Sequence, residues 1–190
     1  MRKTTLAAVV FLSVGSIAAH AIEAGGQRFD DRIQLAGTDL VANGAGVRTR
    51  MVFDVYAMAL YLPAKAATAE AVFANKGPRR IALQMMRDVG ANTLSDALRD
   101  GMKANVSAAE FAALGPQIQQ LVAALSASGE VKKGSIIHLD FVPGAGTRVL
   151  FGGKPQGKDI PGDTFYEAVM KIWLGANPVQ SDLKNRLLGR

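Results

Sequence analysis

Along this chain, stretches of alternating apolar and polar residues give way to stretches where apolar residues recur every three or four positions, so the period itself outlines the elements. Residues 29–35 predict an early strand with Ile33 and Leu35 on one face. Leu40-Val41-Ala42 leads into Asn43-Gly44-Ala45-Gly46, a turn or bulge signal. From 47 to 62 the run VRTRMVFDVYAMALYL is rich in β-branched and aromatic residues and reads as one extended segment ending at Pro63. Its odd positions (Val47, Met51, Phe53, Val55, Ala57, Ala59) are mostly apolar, while its even positions carry Arg48, Arg50, Asp54 and Tyr56. That pattern predicts a half-buried strand with one polar face, bulged or bent because it is long.

The following elements read in the same way. Residues 64–74 are Ala-rich and helical, 80–86 (RIALQMM) a strand, and 93–106 a helix with Leu94, Ala97, Leu98 and Met102 at helical spacing. Ser107 with Glu110 forms a capping box for a second helix, Gly115-Pro116 interrupts it, and 117–128 continues with Ile118, Leu121, Val122 and Leu125 on one face. Residues 134–142 are a strand, Pro143-Gly144-Ala145-Gly146 a hairpin turn, 147–151 the return strand, and 152–162 a loop. Thr164 with Glu167 is placed to cap a helix ending at Leu174 before Gly175, and Ser181 to cap a short helix through Leu188. Strands, helices, a hairpin and helices again make an α+β fold with antiparallel pairing, and no linker divides it.

The first residues stand apart. Arg2 and Lys3 precede an uncharged, mostly apolar run over 6–18, and Ala19-His20-Ala21 has the small-x-small form of a processing site. The run is shorter than the ~20 residues a membrane span needs. The expectation is therefore a signal peptide over 1–21, cleaved after Ala21, and a single domain over 22–190 exported to the periplasm. No Cys follows the site, so a lipid anchor there is excluded, and no stable membrane anchor is expected after cleavage.

Composition then limits the chemistry. The chain of 190 residues has no Cys and two His, which excludes disulfides, thiolate metal sites and Cys nucleophiles. Cleavage lowers Lys plus Arg from 22 to 20 against 16 acids, turning a net charge of +6 into +4 and leaving His138 as the sole imidazole. The positive charge is spread along the chain, so no nucleic-acid partner is expected. His138 lies mid-strand with the parity of Ile136 and Asp140, a solvent-facing position without a nucleophile motif near it. No spacing suits a metal, and Asp30-Asp31 point to opposite faces of a strand. Neither Gly44-Ala45-Gly46 nor Gly144-Ala145-Gly146 continues into a phosphate-binding loop.

Arg48, Arg50 and Tyr56 are more suggestive. A guanidinium fork suits a carboxylate or enolate oxygen, and a phenol adds a donor. The plainer reading of the same residues is two solvated arginines and a tyrosine at a rim. On a straight strand Arg48 and Tyr56 would lie about 27 Å apart, and Arg50 and Tyr56 about 20 Å, so either pair shares a ligand only if the chain turns between them.

Several segments in order resemble the chalcone isomerase-like superfamily: GAGVR at 44–48, DVYAMALYLP at 54–63, and the hairpin, Ile-Pro loop, long helix and Gly-plus-Pro of 133–179. The tail, WLGANPVQSDLKNRLLG, looks most like the bacterial exported branch. The resemblance implies an open-faced β-sandwich, a large antiparallel sheet covered by helices with a ligand cleft between them. It also implies that Arg48 is the cleft arginine. Tyr56 then stands where plant isomerases have a catalytic Thr and fatty-acid-binding relatives a carboxylate-contacting Tyr, and Thr93 falls near the isomerases' catalytic Tyr. These differences favour a cofactor-free binder of a small amphipathic, fatty-acid-like anion. The alternatives are an intramolecular lyase acting on a chalcone-like enone, with Arg48 and Tyr56 as its catalytic residues, and a cell-envelope partner-binding protein with a vestigial cleft.

Overall fold

The computed structural model describes residues 21–127 and 129–190, so the expected signal peptide, save Ala21, lies outside the described residues. Strands β1 (Ala21–Ala24) and β2 (Gln27–Asp30) form a separate hairpin. The main sheet is built from β3 (Arg32–Leu35), β4 (Thr38–Arg50), β5 (Phe53–Leu62), β6 (Arg79–Met85), β9 (Ile136–Val142), β10 (Gly146–Phe151) and β11 (Lys154–Pro155). Its order is β11-β10-β9-β6-β5-β4-β3, and every pair is antiparallel. Between β6 and β9 the chain makes a short two-strand pairing, β7 (Val89–Gly90) with β8 (Glu130–Val131), and the helices α2 (Ala91–Lys103), α3 (Ala108–Ala113) and α4 (Gly115–Ser126). Helices α1 (Ala69–Ala74), α5 (Asp163–Leu174) and α6 (Ser181–Leu187) complete the fold.

The expected α+β class, with helices over a large antiparallel sheet, is what the chain adopts. Tyr56, Met58, Leu60 and Leu62 of β5 face the helices and join the main core with Leu98 of α2, Leu121 of α4 and Trp173 of α5. Ala57, Ala59 and Tyr61 face the other way and are covered by Ala24 and Phe29 of the small hairpin. Both faces of β5 are therefore buried, which corrects the expected half-exposed strand: the face carrying Tyr56 is the one that meets the helices.

Four boundaries differ from the expectation for physical reasons. The early strand divides at Asp31 into β2 and β3. The extended run 47–62 is not one strand: it reverses at Met51 and Val52, with Met51 at φ +57°, and its halves pair as β4 and β5. Of the turn and bulge expected at Asn43 to Gly46, the structure has the bulge, since β4 continues through it. Asn43 is the extra residue of a bulge, and its side-chain amide donates to Ala66 O at 2.9 Å and Leu187 O at 2.7 Å while accepting from Ala66 N at 2.7 Å. The helix expected over 64–74 forms only from Ala69, where the Thr68 hydroxyl accepts from Ala71 N.

Helix caps divide likewise. Ser107 caps α3, accepting from Glu110 N at 3.1 Å. Thr164 and Ser181 do not cap: each lies inside its helix, after N-cap residues Gly162 and Gln180.

The glycines of 44–46 have a packing role. A Cβ on Gly44 would stand 2.1 Å from Arg186 O, and one on Gly46 2.8 Å from the Leu183 side chain, so α6 lies directly on β4 only because both positions lack side chains. Their backbone conformations need no glycine; the close approach does. We predict that Gly44→Ala forces α6 away and lowers unfolding free energy by about 1–3 kcal/mol, read from urea denaturation. A loss below ~0.5 kcal/mol, the range of an ordinary surface change, would contradict this packing argument.

Candidate functional site

The reversal at Met51 and Val52 resolves the separation between the candidate residues. Arg48 and Tyr56 are direct cross-strand partners, and opposite residues of antiparallel strands project from the same face about 5 Å apart. A second bulge follows at once: the register passes from Arg48 opposite Tyr56 to Thr49 opposite Asp54, leaving Val55 as the extra residue. Such a bulge re-aims side chains next to it, and here Val55 and Tyr56 both line one cleft.

That cleft of about 530 Å³ lies between the end of the β4–β5 pair and helices α2 and α5, a size within the ~300–1,000 Å³ of small-molecule sites. Arg48, Arg50, Tyr56 and Thr93, the four residues singled out from sequence, all line it. Its apolar wall is Leu94, Ala97 and Leu98 of α2, Ile172 of α5, Val89 and Val179. Asp96 and Asp100 of α2 also line it. Deeper in, the space between sheet and α5 is closed: Met58, Leu60, Ile81, Met170, Trp173 and Leu174 leave no room for a water molecule. Trp173 lies in this closed space rather than in the cleft lining, and the cleft's apolar surface is the one along α2.

Trp173 also organises the polar end. Its indole N–H donates to the Tyr56 hydroxyl at 2.9 Å, both side chains being buried. A phenol oxygen that accepts this bond keeps its own proton to donate, and no acceptor for that proton exists among the described residues. Burial pushes the Tyr56 pKa up to about 12, against the opposing pulls of the Trp173 bond and the Arg48 charge. At neutral pH Tyr56 is therefore a protonated donor.

Arg48 is half-buried and has no carboxylate partner among the described residues. Its Nη1 donates to Thr49 O and, at 3.3 Å, to Gln180 Oε1. Gln180 also accepts from Thr49 N at 2.9 Å and donates to Val47 O at 3.2 Å, so one side chain from the segment before α6 bridges the bulged end of β4. Arg50 is exposed at the rim and Thr93 is exposed on the first turn of α2. The arrangement presents a guanidinium and a phenol proton to one space backed by an apolar wall, which suits an oxyanion with a hydrocarbon body.

Sequence reasoning missed Trp173 and Gln180. Both lie in the tail whose pattern it did record, but nothing local connects them to Tyr56 and Arg48 more than a hundred residues away. His138 occupies the opposite face, as its parity predicts, yet it is half-buried rather than solvent-facing. It lies in a separate 250 Å³ hollow with Tyr61, Arg80 and Phe29, where burial first and the Arg80 charge second lower its pKa. Arg80 itself is engaged by the buried Asp140 carboxylate through two 2.6 Å bonds.

The sequence model of chalcone isomerase-like proteins matches residues 21–189. Among solved structures, the crystal structure of a fatty-acid binding protein from Arabidopsis thaliana shares the fold with a TM-score of 0.67. That likeness spans 89% of this chain and 96% of the other at 15% identity. No curated protein sequence matches the chain.

The Trp173–Tyr56 bond sets a stability prediction. Tyr56→Phe leaves a buried indole N–H without its acceptor and is expected to cost about 1–3 kcal/mol in thermal or urea unfolding, with the fold retained by circular dichroism. Unchanged stability would mean the bond is not made.

Proposed function

The chain belongs to the chalcone isomerase-like family, and from that premise we propose that it is an exported, periplasmic binder of a small amphipathic anion of the fatty-acid class. The observation carrying this reading is the unspent donor capacity of Arg48 and Tyr56 at one cleft: a guanidinium without a carboxylate partner, opposite a phenol whose oxygen is occupied by Trp173 and whose proton is free. A carboxylate accepting from both has its charge matched and its oxygens satisfied, while Leu94, Leu98 and Ile172 receive the acyl chain. That the Arabidopsis protein sharing the fold is a fatty-acid binding protein supports the same class.

Binding without catalysis is favoured by Tyr56. It stands where the family resemblance places the isomerases' catalytic Thr and where fatty-acid-binding relatives have a carboxylate-contacting Tyr. The open cleft also weighs against the reading in which the site is vestigial and filled by side chains. Residues 1–21 are read as the export signal and 22–190 as one folded unit belonging to the family's bacterial exported branch.

Native mass spectrometry of the protein recovered from its own periplasm tests these points together. The expected species is Ile22–Arg190 carrying an acyl-anion adduct, and Arg48→Ala is expected to lose at least nine-tenths of that adduct, about 1.4 kcal/mol or more of affinity. A ligand-free wild type, or equal retention by Arg48→Ala, would overturn the ligand reading; an intact leader would overturn the export reading alone.

A further inference from the structure

The hairpin that brings Arg48 opposite Tyr56 ends in an apolar tip that the fold does not require. Met51 is 90% exposed, Val52 82% and Phe53 55%, the three most exposed large apolar residues among those described. Tight reversals between antiparallel strands favour Asn, Asp or Gly wherever φ is positive. Here the φ +57° position is held by Met51, a conformation that costs free energy for a side chain with a Cβ. Neither burial nor turn chemistry accounts for Met-Val-Phe at this place.

Two arginines, Arg50 and Arg87, stand behind the tip. Arg87 lies over the Phe53 ring at 4.8 Å, and neither Arg87 nor Arg50 has a carboxylate partner among the described residues. Of the nearby acids, Asp88 accepts from Lys133 N at 2.7 Å and pairs with Lys132, while Asp54 accepts from the neutral Thr49 hydroxyl at 2.8 Å. A hollow of about 370 Å³ under the tip, lined by Met51, Phe53 and Arg87, shares Arg50, Val55 and Thr93 with the main cleft. The tip therefore stands at the cleft mouth.

We propose that this tip docks on the surface of an anionic lipid bilayer and sets the cleft mouth against it. Apolar side chains at the end of a hairpin, with arginines behind them, match the boundary between acyl chains and head groups, where segments insert ~5–10 Å and cations meet anionic phosphates. A protein partner is a poorer fit, because specific interfaces bury about 800 Å² a side and three side chains on a convex tip fall short of that. The proposal deepens the ligand reading and rests on it for its purpose: an acyl anion leaves the bilayer through the mouth that the tip brings there.

The test is flotation of the folded protein with vesicles of equal parts phosphatidylglycerol and phosphatidylethanolamine, against vesicles of phosphatidylcholine alone. The key variant, M51N/V52G, places Asn at the positive-φ position and Gly, which accepts any φ, after it, and removes the apolar tip; circular dichroism checks that the fold is kept. Wild type is expected to float with the anionic vesicles, at least tenfold less with M51N/V52G or with phosphatidylcholine. Binding of free decanoate in lipid-free buffer is measured alongside and is expected to be the same in both proteins. No flotation of wild type, or equal flotation of M51N/V52G, overturns the proposal. A wild-type dimer that M51N/V52G abolishes in lipid-free sedimentation also overturns it, since the tip then serves a second copy of the chain. Flotation as expected without decanoate binding upholds docking and removes the ligand reading instead.

Discussion

Pairing of β4 with β5 across the reversal at Met51 and Val52 is the constraint on which the candidate site depends. Without it Arg48 and Tyr56 belong to one extended run and cannot share a ligand; with it they are opposite neighbours. The bulge at Val55 then adds a residue to the cleft-facing side of β5 without breaking the pairing further along. Because antiparallel register is fixed by which face must be buried, the core positions Met58 and Leu60 hold the same register that places Tyr56 beside Arg48. The site is thus a by-product of core packing at one end of the sheet.

The C-terminal third completes what the hairpin begins. Helix α5 brings Trp173 into the core behind Tyr56, where its indole N–H occupies the Tyr56 oxygen. The segment after it brings Gln180 to the end of β4, and α6 lies against the same strand where Gly44 and Gly46 admit it. Asn43 ties the bulge of β4 to the Ala66 backbone and to Leu187 O. A strand with a bulge and two glycines would be weak alone, and the tail packs along it.

How much of this was legible in the sequence follows from how local each signal is. Strand β6, helix α2, the β9–β10 hairpin and the Ser107 cap are encoded by neighbouring residues and were readable to within a few positions. The reversal at Met51 and Val52 was not, because its residues carry no turn chemistry and continue the apolar alternation on both sides. The glycines of 44–46 were read only as a turn or bulge signal because their reason for being glycine, the α6 backbone, lies some 140 residues away. Arg48 and Tyr56 were singled out by residue type and by the family resemblance, and spacing argued against their meeting; only the observed pairing joins them. Trp173 and Gln180, whose partners are equally remote, carried no signal that periodicity could expose.

A crystal structure of the protein with bound decanoate would locate the ligand's carboxylate. The account predicts the carboxylate within hydrogen-bond distance, roughly 2.7–3.1 Å, of both the Arg48 guanidinium and the Tyr56 hydroxyl, with the acyl chain along Leu94, Leu98 and Ile172. A carboxylate bound elsewhere, for instance at Arg80 and His138 on the opposite face, would contradict it.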